Sequence, residues 1–243
     1  MSGAVGARTY RSLSLVLPVY RQADHIAPLV GAFEEALQRV ELDREVLLVV
    51  NGPDDGTLGA CHRLAQSSAS VRVIESGAGW GRAVRAGLAE ATGDLVCYTN
   101  SARTAPEDLL LVVLYAVAYP GVVVKAQRRT RDSVVRRVGS LLYNLECRKL
   151  FDLATFDVNG TPKAFPAELG QLRRLTRDDD VIDAEFVARC RREGYRLVDV
   201  PIVSTQRHGG TSTTNWRSAL KLYLGAVDLR RRMGPPTPGV ADR

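Results

Sequence analysis

Several stretches of this chain carry side chains able to do chemistry. Pro18-Val19-Tyr20-Arg21-Gln22 offers a ring that could stack on a nucleobase and an amide that could bond it, although alone it also suits an ordinary strand-to-helix connection. The run from Asn51 to Thr57 supplies carbonyl and hydroxyl oxygens able to accept bonds from a base or a ribose. The same residues suit a solvent turn. Asp183 and Glu185 are candidates for proton transfer, but two residues apart on a helix only one of them can point squarely into a cleft. Asp178 to Asp180, just before them, suit the positive end of that helix. Arginines gather at Arg128 to Arg137, Arg173 to Arg177, Arg189 to Arg196 and Arg230 to Arg232, where each cluster could hold an anion or coat a solvated helix face.

These residues need a scaffold, and the hydrophobic pattern supplies one. Leu13 to Leu17 and Val46 to Val50 read as buried strands, and Ile26 to Val40 between them has the i, i+3, i+4 spacing of an amphipathic helix. The alternation continues through helix Leu58 to Gln66, strand Val71 to Glu75, helix Arg82 to Ala91 and strand Leu95 to Tyr98. Strands alternating with helices predict an α/β fold with a mostly parallel central sheet flanked by helices, and ligands gathered at the carboxyl ends of the strands. Leu109 to Val124, broken by Pro120 and Gly121, predicts a helix and then a buried strand. Helices are further expected over Val134 to Phe151, Val181 to Glu193 and Trp216 to Met233, a loop or short strand over Phe156 to Phe165, and a strand over Arg196 to Val203.

At 243 residues the chain suits one large domain. Its formal charge of +6 favours anionic partners without choosing among phosphorylated substrates, acidic lipid surfaces and nucleic acid. No nucleic-acid motif or interleaving of aromatic and basic residues is present, so nucleic acid is not an expected partner. The GxGxxG word of a dinucleotide site is not met, because Gly79, Gly81 and Val84 hold its glycine positions. Cys61, Cys97, Cys147 and Cys190 form no CxxC pair and read as reduced, buried residues, which fits a cytoplasmic setting. No apolar run reaches the length of a membrane span, and residues 1–12 lack the apolar core of a signal peptide.

Taken in order, the segments resemble the family 2 glycosyltransferases, above all the branch of polyprenyl-phosphate sugar transferases similar to dolichol-phosphate mannosyltransferase. Leu15-Val16-Leu17-Pro18-Val19-Tyr20 resembles the family's opening strand, and Val50 to Thr57 its Asp-Asp-Gly-Ser word. Gly79-Trp80-Gly81-Arg82 through Gly93-Asp94 resembles its glycine-rich loop and helix, and Asp157 to Phe165 its acceptor-side segment. Gly194-Tyr195, Pro201 and Arg207 to Ser212 resemble its closing words. The resemblance implies a single GT-A, Rossmann-like domain over residues 1–214, with an amphipathic helix and tail over 215–243. It implies sugar transfer, with inversion, from a nucleoside-diphosphate sugar to a lipid phosphate or a small-molecule hydroxyl. Pro18, Tyr20, Gln22, Asn51, Gly79, Arg82, Thr99, Asn100, Ser101, Lys163 and Arg207 become candidates for the donor, and Asp157, Asp183 and Glu185 for catalysis.

The departures from the family pattern are chemical. Thr99, Asn100 and Ser101 occupy the positions of its Asp-x-Asp pair, whose acids hold Mg²⁺ or Mn²⁺, and hydroxyls with an amide are poor ligands for such ions. Asn51 and Gln22 are also neutral where the family commonly has acids. Two readings follow: an enzyme that neutralises the diphosphate with cations, for which Arg82, Lys163 and Arg207 are candidates, or a nucleotide-sugar-binding module that no longer transfers sugar. The retained acids favour the enzyme. The terminal helix, with Trp216, Leu220, Leu222, Tyr223, Leu224 and Val227 ahead of Arg230 to Arg232, could lie peripherally on the inner face of an anionic membrane, pack on the domain, or meet a second subunit. EDTA is expected to cost little transfer activity; complete loss restored by metal would instead assign an ion to other ligands, Asp54 or Asp55 among them.

Overall fold

The computed structural model describes residues 10–52, 55–129, 134–203 and 216–234, with residues 134–137 and 216–219 described by backbone alone. In chain order the elements are β1 (Ser12–Val19), α1 (Ile26–Leu37), β2 (Asp43–Asn51), α2 (Thr57–Ser67), β3 (Val71–Ser76), α3 (Trp80–Glu90), β4 (Leu95–Tyr98) and α4 (Pro106–Ala118). There follow β5 (Val123–Arg128), α5 (Val134–Phe151), β6 (Lys163–Pro166), α6 (Gly170–Arg173), α7 (Ile182–Glu193), β7 (Leu197–Ile202) and α8 (Trp216–Met233). The strands form a seven-stranded sheet in the order β3-β2-β1-β4-β6-β5-β7. β6 alone runs antiparallel to its neighbours β4 and β5. The mostly parallel sheet expected from the sequence is therefore present, with one short reversed strand between β4 and β5.

Burial of the strands on both faces explains their continuous apolar runs. One face carries Leu13, Leu15, Leu17, Val46, Leu48, Cys97 and Val124, covered by α1, α2 and α4. The other carries Val16, Leu47, Val49, Val96, Tyr98 and Phe165, covered by α3, α5, α6, α7 and α8. α3 lies so close to the sheet that a Cβ on Gly87 would overlap the Val16 side chain and stand 3.0 Å from Val49 Cγ2.

The sheet opens where the strand order reverses. β1 pairs with β4 only as far as Val16 opposite Tyr98, while its pairing with β2 continues to Val19 opposite Val50. Pro18, which has no N–H to give, falls beyond the last β4 pair, so a residue ill suited to a central strand costs no ladder bond on that side. The crevice at the carboxyl ends of β1 and β4 is the topological switch point, where open α/β sheets bind ligands. Gly87→Ala should lower stability by about 1–3 kcal/mol through overpacking, read as a fall in the urea midpoint with an unchanged slope.

Candidate functional site

On one side of the crevice, Gly52 adopts φ +95°, and a Cβ there would stand 2.6 Å from Tyr20 Cε2. The glycine lets the Tyr20 ring lie against the turn after β2. The Arg21 guanidinium sits 5.3 Å from the centre of that ring. Gln22 is 3% exposed, and its backbone N–H donates to Thr57 Oγ1 at 3.0 Å. Its side-chain Oε1 is buried without a hydrogen-bond partner among the described residues, a rare state for a carbonyl oxygen. Asn51, also buried, ends β2 beside it.

Across the crevice, the residues in the Asp-x-Asp positions turn to the protein. Thr99 and Thr104 hydroxyls share a 2.7 Å bond, Asn100 Oδ1 accepts the Ala102 N–H at 2.8 Å, and Ser101 Oγ donates to the Pro18 carbonyl at 2.8 Å. These oxygens close the turn after β4, and as neutral donors already engaged they do not fit a hard divalent cation. Among the described residues no cluster of three or more His, Cys, Asp or Glu side chains is arranged to hold a metal.

The three carboxylates singled out from the sequence are tied to protein partners. Asp157 accepts from the Arg128 backbone N–H at 3.0 Å and from its guanidinium through both oxygens at 2.8 Å. Asp183 receives the Tyr98 hydroxyl at 3.0 Å, the Trp80 indole N–H at 3.1 Å and the Lys163 ammonium. Lys163 is fully buried, with its ammonium 5.3 Å from the Tyr98 ring centre and 5.6 Å from that of Phe186. Burial lowers the Lys163 pKa, and the adjacent Asp183 carboxylate works against that fall. Glu185 collects the backbone N–H groups of Thr176 and Arg177 and the guanidinium of Arg189, clamping the loop before α7. Asp183 and Glu185, expected to divide between cleft and core, both bind inward.

The glycine-rich loop also has an inward use. Gly79 and Gly81 stand where a Cβ would strike the backbone of residues 177 to 179, and the Arg82 N–H donates to the Asp178 carbonyl at 3.1 Å. The first turn of α3 is thus occupied by the chain leading into α7. The Arg82 guanidinium pairs with Asp178 at 3.3 Å, and Arg85 pairs with the same carboxylate. Asp179 pairs with Arg177 and accepts the Val181 N–H at 3.2 Å.

Asp180 differs from the rest of that run. Among the described residues it has no hydrogen-bond or ion-pair partner. Its side chain is open to solvent, yet enough protein crowds round it that desolvation, with repulsion from Asp183 and Asp179, raises its pKa above 3.8. Sequence reasoning passed over Asp180 because nothing in the pattern separates it from its two paired neighbours. Asn159, within the segment that resembles the family's acceptor side, has its Oδ1 buried without a partner among the described residues. Arg207 and the Gly209 to Ser212 word lie outside the described residues, as does Asp54.

Comparison with known proteins places this arrangement. Residues 14–167 match the model for glycosyl transferase family 2. An undecaprenyl-phosphate 4-deoxy-4-formamido-L-arabinose transferase from Pseudomonas fluorescens is 28% identical over 217 residues, covering 82% of this chain and 59% of that protein. A Klebsiella pneumoniae protein of the same name is 23% identical over 224 residues, covering 89% of this chain and 67% of its own. The chain therefore spans roughly three fifths to two thirds of the length of these relatives. Among solved structures, Mycobacterium tuberculosis glucosyl-3-phosphoglycerate synthase bound to Mn²⁺, UDP and phosphoglyceric acid superposes with a TM-score of 0.70 at 18% identity, covering 94% of this chain and 81% of that one. A second form of that enzyme, with Mn²⁺, UDP-glucose and phosphoglyceric acid, gives 0.70 at 20%, covering 94% and 82%. At such identity the likeness is one of fold.

Asp183→Asn removes one charge of a buried pair and should cost about 3–5 kcal/mol, whereas Asp180→Asn should change stability by less than about 0.5 kcal/mol. Urea denaturation of the two variants measures the contrast, and equal losses would contradict the assignment of one as a tie and the other as free.

Proposed function

Because this chain belongs to glycosyl transferase family 2, we propose that it moves a sugar, with inversion, from a nucleoside-diphosphate sugar to the phosphate of a polyprenyl carrier. The observation that carries the donor half is the buried, unpartnered Gln22 Oε1 beside the Tyr20 ring at the switch-point crevice. Such an oxygen gains a full hydrogen bond when a nucleobase N–H or a ribose hydroxyl reaches it, because nothing among the described residues competes. Tyr20 would supply the stacking face, and Asn51 a second polar contact.

The carboxyl end of β4 would receive the diphosphate with Thr99, Asn100 and Ser101 shaping the turn rather than holding an ion. Positive charge would come from Arg103, two residues past Ser101, and from Arg207. Arg82 and Lys163, joined to Asp178 and Asp183, are better suited to positioning. Asp157 holds the end of β5 through Arg128, on the side where the acceptor would enter. A phosphate acceptor is already ionised and needs no base, which agrees with three engaged carboxylates.

Asp180 supports a second reading. A desolvated carboxylate without a partner is the form a general base takes for a hydroxyl acceptor, and with a phosphate acceptor it would serve only to bind sugar hydroxyls. One assay separates the two. Transfer from UDP- and GDP-sugars is followed to a short-chain polyprenyl phosphate and to glycerol-type hydroxyls, with wild type and Asp180→Asn. On the lipid-phosphate reading the phosphate is glycosylated and the variant keeps kcat to within about tenfold; transfer only to hydroxyls, with a fall of about 10²–10⁴, assigns the base role instead. No transfer, and no stabilisation by any nucleotide sugar, would leave the chain without either activity.

A further inference from the structure

α5 and α8 pack together, with the Tyr223 hydroxyl donating to the Gly139 carbonyl at 2.7 Å and the Tyr143 and Tyr223 rings meeting edge to face at 5.6 Å. Among the described residues, the outer side of this pair is apolar and uncovered. Val138, Leu141, Leu142 and Leu145 fall at i, i+3, i+4 and i+7 of α5 and are 49–57% exposed. Leu220 and Leu224, one turn apart on α8, are 51% and 61% exposed. A soluble helix ordinarily turns such a stripe to the core. Here the core-facing positions are separately filled by Tyr143, Cys147 and Phe151 from α5 and by Ala226 and Leu229 from α8.

Charge identifies what would cover the stripe. By sequence the two helices hold nine Lys or Arg against two acids, Glu146 and Asp228, a surplus of seven. The whole chain carries +6, so all the remaining residues together carry one net negative charge. The positive character of the protein therefore belongs to this helix pair. Lys149, Lys221 and Arg231 are exposed, whereas Asp228 is paired with Arg177 and Arg232. A second copy docked face to face would set two such surpluses against each other. The exposed stripe is aliphatic, which suits acyl chains rather than stacked bases.

We propose that the outer face of α5 and α8 seats on an anionic lipid bilayer, the leucines entering the headgroup boundary and the basic residues meeting lipid phosphates. α5 follows β5 from the carboxyl edge of the sheet, the edge that holds the crevice, so a surface docked here brings lipid to the site. That last consequence rests on the lipid-phosphate reading of the acceptor; the docking itself does not.

The full chain is sedimented with phosphatidylcholine vesicles, with and without phosphatidylglycerol. Wild type is expected to bind the anionic vesicles and to leave them as salt rises. Leu141→Gln with Leu142→Gln and Leu145→Gln should weaken binding by about tenfold or more, and Lys149→Gln with Lys221→Gln and Arg231→Gln should abolish the preference for phosphatidylglycerol. Both triple variants should keep the wild-type thermal midpoint and the transfer rate to a short-chain phosphate in solution. Failure of wild type to bind, equal binding by the leucine variant, or a leucine-dependent dimer in light scattering would overturn the proposal. Loss of soluble transfer by wild type would instead count against the functional reading, so the two fail separately.

Discussion

The ion pair between Lys163 and Asp183 is the constraint on which the ligand edge depends. Asp183 sits in the first turn of α7 and receives bonds from the start of α3 through Trp80, the end of β4 through Tyr98 and the start of β6 through Lys163. Four elements distant in sequence meet at one carboxylate. Removing any donor would leave a buried charge undersatisfied, so the arrangement has one low-energy solution and the edge of the sheet is held in one shape. Such a pair adds less to stability than its Coulomb attraction suggests, because both charges were taken out of water. What it supplies is position: Asp180, three residues before Asp183, is carried on the same anchored segment.

The pair belongs to a wider pattern across the sheet. Tyr98, Lys163, Lys125 and Asp199 are register partners on adjacent strands, so their side chains form one row on the face covered by α7. Two buried lysines directly opposite each other would repel. The conflict is resolved by sending them apart, Lys163 to Asp183 and Lys125 to Asp199 at 2.7 Å, with Thr155 supporting Asp199 at 3.0 Å. With Arg128 paired to Asp157, the three cations and three anions of these pairs balance. Neutrality of this set is what lets it be buried.

This pattern also marks what could be read from the sequence. Leu95–Tyr98, Val134–Phe151 and Trp216–Met233 are legible to the residue, because an apolar run marks the strand and helical periodicity marks the two helices. β6 was legible only as a loop or short strand: it has four residues, begins with a lysine and runs against its neighbours, so no run of hydrophobic residues announces it. The crevice was legible because it lies at strand ends, where turn residues stand out. The roles of Asp183, Glu185, Gly79 and Arg82 were not, because each is fixed by a contact that local pattern does not encode. Arg82 meets Asp178 across 96 residues, and Trp80 meets Asp183 across 103. Spacing left at most one of Asp183 and Glu185 for a cleft, and tertiary contacts hold both.

The neutral residues at the end of β4 make electrostatic sense beside these ties. Two carboxylates at that position would repel each other and an incoming diphosphate, and a dication would be required to offset the protein's own charge before any remained for the ligand. Thr99, Asn100 and Ser101 bring no such charge and satisfy one another's surroundings through Thr104, Ala102 and Pro18. On the proposed reading, a diphosphate bound there would meet no carboxylate from these three positions. On the proposed reading, neutral residues at these three positions and cationic side chains in place of an ion form one electrostatic arrangement, and the neutral Asn51 and Gln22 agree with it.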